Sequence, residues 1–443
     1  MSKTFRPWDV DQVWLLPPSI QDLVPAGHIA HFIRETVRDG LDLSRIIDTY
    51  EEERGYPPYH PGMMVALLLY AYSRGVYSSR RIAKACEERL DFAAVTGMQR
   101  PDFRTISDFR KRHLAALAGL FQQVLKLCRA AGLVKLGHVA LDGTKIKANA
   151  SKHKAMSYAR MKQAEPALAA EVHRWLAQAA QTDKAEDRAH GAQRRGDEMP
   201  DWVANKQQRL EKIRAAKAAL EAEARAAAAA KTGDKDDGSG GGSGHAAPPP
   251  EPAPPPDKAQ RNFTDPESRI MKTNDGFIQG YNAQAAVDAE AQVIVAHDLS
   301  NAATDQAQLA PLVAAIRTNL RRNPDEVSAD AGYCSEANLR ALAKRRINAY
   351  VATGRQHHGT APAVAQQRKP RPGSIVARMA TKLRRAGRRS RYRLRKQVVE
   401  PVFGQIKHAR GFRQFLLRGL DKVKAEWALI CTVHNLLKLA AAA

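Results

Sequence analysis

Hydrophobic and polar positions follow a helical spacing through the first part of the chain. "GMMVALLLYAYSRG" (62–75) has a wide apolar face, and "SSRRIAKACEERLDFAAVTG" (78–97) begins at a serine cap and ends at Gly97. A third helix is predicted to begin near Thr105. We therefore expect an N-terminal all-α domain over residues 16–132, preceded by a tail over residues 1–15.

The pattern then changes to short apolar runs. "GHVALDG" predicts the first strand of a second domain, within residues 133–150, and residues 280–300 predict two strands joined by a turn at Asp288 to Ala291. Further on, helices and strands alternate: 305–320 is a predicted helix, 326–330 a strand, 335–346 a helix capped by Ser335, and 348–353 a strand. This order predicts an α/β domain with a mixed β-sheet and flanking helices.

The segment between these strands has a different composition. Residues 151–232 are rich in Ala, Lys, Arg, Glu and Gln and predict a helical hairpin, whereas residues 233–260 are a Gly, Ser and Pro tract that predicts a disordered linker. Together they form an insertion that splits the α/β domain, whose remainder occupies residues 261–443. We expect no chemistry in the insertion, and leave open whether it serves dimerisation or DNA clamping.

Charge narrows the choice of partner. The chain has 70 Lys and Arg against 46 Asp and Glu, a formal net charge of +24, which favours a polyanion. Because no run of about 18 apolar residues and no leader-like segment occurs, we expect no membrane association and a cytoplasmic protein that binds nucleic acid. The four cysteines lie far apart without metal-ligand spacing and are expected to be buried in a reducing compartment.

Basic residues follow the polar side of the predicted N-terminal helices. They are Arg80, Arg81, Arg104, Arg110, Lys111 and Arg112. Short helices joined by tight turns with such residues are typical of a helix-turn-helix DNA reader, so Arg80 and Arg81 are candidate DNA contacts. A helical bundle with a solvated basic face has the same pattern, and the sequence leaves both readings open.

Two aspartates are candidates for chemistry in the α/β domain. Asp142 and Asp330 are each predicted to be the last residue of an apolar strand, and a glycine turn is predicted after each ("LDGT", "ADAGY"). Strand ends of α/β sheets carry reactive groups because loops converge there. Each aspartate also fits an ordinary turn or cap. Other acids compete with them: Asp288 in the hairpin turn, Asp298 at a strand end, and Asp305.

A third acid lies in the helix predicted from "RYRLRKQVVEPVFGQIKHARGFRQ" (391–414), which Gly411 ends. Helical spacing places Arg393, Glu400 and Lys407 on one face, with Lys396 one turn before the glutamate. The predicted buried side consists of Val399, Val402, Phe403 and Ile406. The alternative is an exposed helix with weak ion pairs.

A basic tract precedes this glutamate. Residues 368–396 contain thirteen Lys and Arg and no acid, so they attract a phosphate backbone without sequence preference. A solvated, disordered tract over residues 368–391 is the alternative. Three carboxylates beside a phosphate-binding surface suit two divalent ions, which activate the attacking oxygen and stabilise the leaving one. Carboxylates favour Mg²⁺, a hard cation.

With these acids identified, the chain resembles the DDE transposases of bacterial insertion sequences. "VALDGTKIKANASK" is similar to their first-aspartate segment, "GFIQGYNAQAAVD" to the following strands, "SADAGYCSEANL" to the second-aspartate segment and "VEPVFGQIKHARGFRQFLLRG" to the glutamate helix. "YHPGMMVALLLYAYSRGVYSSRRIAKAC" extends the similarity into the helical region. The resemblance implies a catalytic domain of the RNase H and retroviral integrase type.

The resemblance also implies roles for residues. Asp142, Asp330 and Glu400 would bind two Mg²⁺ or Mn²⁺ ions, nick the element's end in double-stranded DNA and join the freed 3′-hydroxyl to target DNA. The related signature of tyrosine, arginine, glutamate and lysine fits at Glu400 and Lys407, whereas Lys396 and Arg393 occupy the arginine and tyrosine places and Tyr392 lies one residue early. The expected DNA contacts are Lys407, Lys396, Arg393, Arg395, Lys145 and Lys147. Lys145 and Lys147 fit equally the solvated face of a strand.

Three other functions stay open. A metal-dependent nuclease or resolvase of the same fold cuts without joining, and an inactive DNA-binding regulator does neither. Aspartyl-phosphate chemistry fits less well, because Thr144 stands where a second acid is wanted. For the transposase we expect a homodimer in the DNA complex, associated with the nucleoid.

Overall fold

The computed structural model describes residues 19, 22, 24–50, 58–190, 201–233, 254–273, 276–354, 371–386 and 391–443. The predicted tail over residues 1–15 lies outside the described residues, as does most of the predicted linker, over residues 234–253. Within the described residues, no helix has the length and apolar composition that crossing a membrane requires.

The N-terminal part is helical. Its α-helices are α1 (Ile29–Glu35), α2 (Ser44–Ile47), α3 (Pro61–Ser73), α4 (Ser79–Glu88), α5 (Leu90–Thr96), α6 (Phe103–Arg112) and α7 (Leu114–Ala130). The prediction of one helix over residues 78–97 is wrong, because Arg89 between α4 and α5 has an extended backbone (φ −122°, ψ 126°). At this break the Arg89 guanidinium pairs with Asp91 at 2.5 Å, and the Tyr70 hydroxyl donates to the same carboxylate at 2.5 Å.

The third predicted helix begins two residues earlier than expected. Asp102 caps α6 by accepting from the backbone N–H groups of Arg104 (2.7 Å) and Thr105 (3.2 Å), and His113 separates α6 from α7. The placement of Arg110 on the polar side is wrong. Its guanidinium is buried and donates to the Tyr72 hydroxyl at 3.0 Å, so it holds α6 against α3 instead of facing solvent.

The remaining elements follow in chain order. The strands are β1 (His138–Lys147), β2 (Ala155–Ser157), β3 (Gln260–Asn262), β4 (Arg269–Thr273), β5 (Gly276–Asp288), β6 (Ile294–Ser300), β7 (Glu326–Ala329) and β8 (Asn348–Val351). The helices are α8 (Tyr158–His190), α9 (Asp201–Gly233), α10 (Leu309–Leu320), α11 (Glu336–Lys344), α12 (Ile375–Ala386), α13 (Leu394–Gly404) and α14 (Leu420–Ala440).

One mixed sheet organises the second part of the chain. The central strand β1 pairs antiparallel with β5 on one side and parallel with β7 on the other, and β7 pairs parallel with β8. The strands β4 and β6 pair with successive parts of β5. Helices α10, α13 and α14 pack against this sheet. The structure therefore confirms the predicted α/β class, an RNase H-like mixed sheet with flanking helices and an all-α region before it.

The two ends of the insertion pair with each other as a short two-stranded antiparallel ribbon of β2 and β3. Helices α8 and α9 run antiparallel, since Glu165 pairs with Lys217 (2.9 Å) and Glu171, further along α8, pairs with the earlier Lys206. The hairpin has a small core of its own, formed by Tyr158, Met161, Ile213, Ala216 and Leu220. The linker was predicted to extend to residue 260, but β3 already begins at Gln260.

The helical region and the sheet share one hydrophobic core. Helices α3 and α7 pack against α14, and the Tyr77 hydroxyl donates to the Arg410 carbonyl at 2.8 Å across the junction. The predicted division at residue 132 stays a prediction. The cysteines are free thiols, as expected, and three are buried, but Cys334 is only half-buried.

Candidate active site

Asp142 lies in the middle of β1. The prediction that it is the last residue of a strand is wrong, because β5 pairs with β1 as far as Lys147. The parallel neighbour β7 nevertheless ends at Ala329, opposite Leu141. Asp142 is therefore the first residue of β1 beyond the end of β7. On that side of β1, no residue of β7 pairs with Asp142.

Asp330 was predicted to be the last residue of its strand, but β7 ends one residue earlier at Ala329, so Asp330 is the first residue after the strand. Its carboxylate accepts from the Gly332 backbone N–H at 2.9 Å and caps a single turn over Ala331–Tyr333. Since Leu141 is opposite Ala329, the next residues along the two parallel strands are Asp142 and Asp330. The register of the sheet thus brings together two aspartates that are far apart in the sequence.

Glu400 lies on α13, which packs against β1, β5 and β7. The link to the aspartates is Arg395, one turn earlier and buried. Its guanidinium donates to Asp142 Oδ2 at 2.6 Å and to Glu400 Oε1 at 3.3 Å. The side chain of Asp142 is 17% exposed and that of Glu400 is 50% exposed, so the acidic site is open on the side of the glutamate.

The other predicted DNA contacts near Glu400 differ in surroundings. Lys396 and Arg393 are exposed, and it is Arg395 that faces the carboxylates, with Tyr392 hydrogen-bonded to it. Lys407 lies in a wider helical turn over Gln405–Ala409 and donates to the Thr144 hydroxyl of β1 at 3.0 Å.

The predicted contacts on β1 and α4 also differ from one another. Lys145 pairs with Asp305 at 3.2 Å, whereas Lys147 is exposed. Arg80 and Arg81 are exposed on α4, and the Arg80 guanidinium lies over the Phe103 ring, 5.2 Å from its centroid. The structure thus pairs Lys145 and Arg395 with carboxylates, and it places Lys407 against β1 at Thr144.

Asp305 is a fourth acid of the site. Its Oδ1 accepts from Asn282 Nδ2 at 2.6 Å, Gln284 Nε2 at 2.8 Å and Lys145 Nζ at 3.2 Å. A Cβ placed on Gly332 would lie 3.4 Å from Asp305 Oδ2 and 3.1 Å from Asp330 Oδ1, so the two carboxylates border the same small space.

The sequence left Asp305 unranked among competing acids, although one signal pointed to it. Asn282 and Gln284 are fully buried amides in β5, an otherwise largely apolar strand. Buried amides require hydrogen-bond partners, and Asp305 provides one for both.

The other two competing acids have structural contacts. Asp288 accepts from the Leu136 and Glu290 backbone N–H groups at 2.6 and 2.9 Å and so fixes the β5–β6 turn, as its position predicted. Asp298 lies within β6 and pairs with Lys424 of α14 at 3.4 Å.

Gly143 follows Asp142 without forming the predicted turn. It continues β1 opposite Gln284. A Cβ at this position would overlap the Gln284 amide and lie 2.8 Å from Asp305 Oδ1. The glycine therefore leaves space for the amide and the carboxylate that cross the strand.

Burial and repulsion between neighbouring carboxylates raise the pKa of Asp142 and that of Asp330. Burial raises the pKa of Asp142 to about 6, and the neighbouring Asp330 and Asp305 add to this effect while Arg395 opposes it. The pKa of Asp330 is raised for the same reasons, burial first. Such carboxylates gain from an additional cation.

The donor set can be compared with the needs of a metal ion. Carboxylate oxygens are the ligands that hard divalent cations take. Among the residues that the structure describes, no three Asp, Glu, His or Cys side chains are close enough together to hold one ion as they stand. Arg395 bridges Asp142 and Glu400 instead. The oxygen ligands of the site thus suit a divalent cation. In this arrangement, however, the Arg395 guanidinium lies between the carboxylates of Asp142 and Glu400.

Comparison with known families agrees with this geometry. Residues 18–112 match the Transposase domain (DUF772), and residues 251–436 match the Transposase DDE domain. The second match contains Asp330 and Glu400 but begins after Asp142, which the sheet register adds. Neither a curated protein nor a solved structure matches the chain.

The two matches define the chain as a transposase. More closely, it belongs to the DDE transposases of insertion elements, as the sequence motifs predicted. This is a family of DNA phosphoryl-transfer enzymes that generally use divalent metal ions.

Proposed function

We propose that the protein cleaves DNA at the ends of an insertion sequence and transfers the freed 3′-hydroxyl into target DNA. The observation that supports this most is the meeting of three chain segments at one sheet edge. Asp142 and Asp330 follow each other across the β1–β7 register, and Arg395 joins Asp142 to Glu400. A fold alone does not specify a reaction, whereas acids gathered from distant segments beside cations suit phosphoryl transfer.

In this proposal Asp142, Asp330 and Glu400 are the catalytic residues and hold two Mg²⁺ or Mn²⁺ ions. When bound, such ions activate the attacking oxygen and stabilise the leaving one. The Glu400 side chain is 50% exposed, against 17% for that of Asp142, so Glu400 is open to a ligand from solution. Arg395 keeps Asp142 ionised and oriented.

The cations around the acids bind and position the DNA backbone. Lys407 donates to the Thr144 hydroxyl, two residues after Asp142 on β1, and Lys145 of the same strand pairs with Asp305, so both ammonium groups lie along the strand that carries Asp142. Lys147, Arg393 and Lys396 are exposed and extend this basic surface. Arg80 and Arg81 of α4 contact DNA through the helical region. The bound partner is double-stranded DNA, held by a homodimer that is associated with the nucleoid.

Single substitutions test the catalytic residues. Asp142→Asn, Asp330→Asn and Glu400→Gln each abolish Mg²⁺-dependent cleavage of the DNA that flanks the gene, while DNA affinity stays largely intact. Asp298→Asn, which removes an acid paired with Lys424 outside the site, serves as the control. Undiminished cleavage in any of the three variants removes that residue from the site.

A strand-transfer assay separates the remaining functions. Joined products from the full-length chain support a transposase. Cut DNA without joined products indicates a nuclease or resolvase, and binding without cleavage of the flanking DNA indicates a regulator.

A further inference from the structure

A basic groove lies at the foot of the insertion hairpin, separate from the carboxylate site. Its volume is about 400 Å³. The lining residues come from the turn before β2, from β2 itself, from the two hairpin helices and from the residue after β3. They are His153, Lys154, Ala155, Met156, Arg160, Asn205, Gln208, Arg209, Lys212 and Phe263. Four permanent cations converge here, and none of the described residues that line the groove is an acid.

Several other cations of the insertion form ion pairs. Lys217 and Arg214 pair with Glu165 at 2.9 and 3.2 Å, and Arg261 pairs with Glu223 at 2.7 Å. The groove cations differ: Lys154, Arg160, Arg209 and Lys212 are exposed, and within the described part of the chain no carboxylate forms an ion pair with them. Glu165, Glu171 and Glu223 of the hairpin thus pair with cations outside the groove, and the charged side chains that line the groove are basic. Such a surface attracts a polyanion.

The groove is anchored to the catalytic strand. Asn262 donates to the Ser151 carbonyl at 2.8 Å and the Phe263 N–H to the Lys154 carbonyl at 3.1 Å, which fix the ribbon where the chain leaves β1. Asn149 also donates to the Leu416 carbonyl at 2.7 Å. The short chain between Asp142 and His153 spans at most about 36 Å at roughly 3.3 Å per residue. The groove therefore lies no farther from Asp142 than about one turn of a DNA duplex, about 34 Å.

We propose that this groove binds the phosphate backbone of duplex DNA and makes the insertion a clamp on the DNA held at the carboxylate site. The inference rests on the proposed function, in that DNA is the substrate. Lysine and arginine side chains contact phosphates without reading sequence. A duplex is favoured over unpaired bases because the lining contains no Tyr or Trp, and its one Phe, Phe263, packs against the hairpin core.

A matched pair of double variants tests the clamp in the full-length chain. Arg160→Gln/Arg209→Gln removes one groove arginine from each hairpin helix. Arg174→Gln/Arg225→Gln removes one exposed arginine from each of the same helices outside the groove. Binding to a labelled random duplex of about three turns is followed by fluorescence anisotropy, without divalent ions, from about 50 to 200 mM salt.

The groove variant is expected to bind at least about tenfold more weakly near 0.1 M salt, and its log–log salt slope is expected to be shallower by about 1.8, at 0.9 for each lost phosphate contact. The control variant keeps affinity and slope close to those of the wild type. Equal losses in the two variants, no loss in the groove variant, or tighter binding of unpaired DNA than of duplex overturns the proposal.

Folding and catalysis are controlled separately. If thermal melting shows that the groove arginine variant is unfolded, Lys154→Gln/Lys212→Gln gives the same measurement with the other two cations. Because binding is measured without divalent ions, a failure of DNA cleavage leaves the result unaffected. Cleavage without any contribution of the groove to binding overturns the clamp and leaves the proposed function standing.

Discussion

The Arg395 guanidinium donates to Asp142 Oδ2 at 2.6 Å and holds the buried aspartate in the place where a divalent cation would have to approach it. A unit charge at about 4 Å contributes about 4 kcal/mol at an effective dielectric constant of 20. The same guanidinium reaches Glu400. Arg395 is therefore both a partner that stabilises the acids and a competitor of any metal ion they bind.

Arg395→Gln is expected to bind Mn²⁺ more tightly than the wild type, by roughly tenfold or more, because one positive charge is removed next to the acids. Electron paramagnetic resonance of free Mn²⁺ during a titration measures the change. Lys396→Gln, which removes an exposed charge from the neighbouring position, is expected to alter the affinity little. Equal or weaker Mn²⁺ binding by Arg395→Gln would contradict the competition.

Asp305→Asn is expected to reduce metal-dependent cleavage by about 10- to 100-fold, the usual effect of losing a group that orients a metal site. The substitution removes the negative charge that pairs with Lys145 and leaves a single, neutral oxygen for the three donors Lys145, Asn282 and Gln284. Initial rates over a range of Mg²⁺ concentrations give the loss. Asp298→Asn is the matched control, and the role of Asp305 is refuted when both variants retain the same rate.

Most of the fold follows from the sequence, because period-2 and helical patterns and caps such as Ser335 are local. Ser335 accepts from the Asn338 N–H at 3.1 Å, as predicted. The sequence did not predict that β1 continues past Asp142, since the long antiparallel partner β5 lies beyond the insertion. Spacing along the sequence also placed Lys396 at the arginine position of the transposase signature around Glu400. In the structure it is Arg395 that donates to Asp142. Such contacts depend on register between distant segments, which no local pattern contains.

Gly143→Ala is expected to lower the free energy of unfolding by about 1–3 kcal/mol through overpacking and to reduce cleavage as well. The new methyl group would displace the Gln284 amide and Asp305 from each other. Urea unfolding measures the stability. Gly137→Ala is the control, because nothing lies within 4 Å of a Cβ at Gly137. Equal stability of the two variants would show that the site tolerates the methyl group.

The buried histidine of α14 links stability to pH. The Nδ1 atom of His434 lies 3.3 Å from Arg410 Nη2, and Nε2 lies 2.9 Å from the Gln292 carbonyl, an arrangement that suits the neutral ring. Burial, helped by Arg410 and Lys438, lowers the pKa of His434 from 6.5 to about 3. The stabilisation is therefore complete above pH 6.5 and is lost as the pH falls towards 3, at about 1.4 kcal/mol per pH unit.

A buried acid of the same helix acts in the opposite direction. Burial raises the pKa of Glu426 from 4.5 to about 7, against the Leu416 and Leu417 N–H groups and Arg110, so its stabilisation is present at low pH and lost as the pH rises through 7. Between pH 4.5 and 6.5 the two effects oppose each other, so the pH dependence of the wild-type stability alone does not separate them.

His434→Gln is expected to gain stability relative to the wild type as the pH falls from 6.5 to 4.5, and Glu426→Gln is expected to lose stability relative to the wild type over the same range. Urea unfolding at a series of pH values measures both, and parallel profiles for either variant and the wild type would remove that residue as a source of pH dependence.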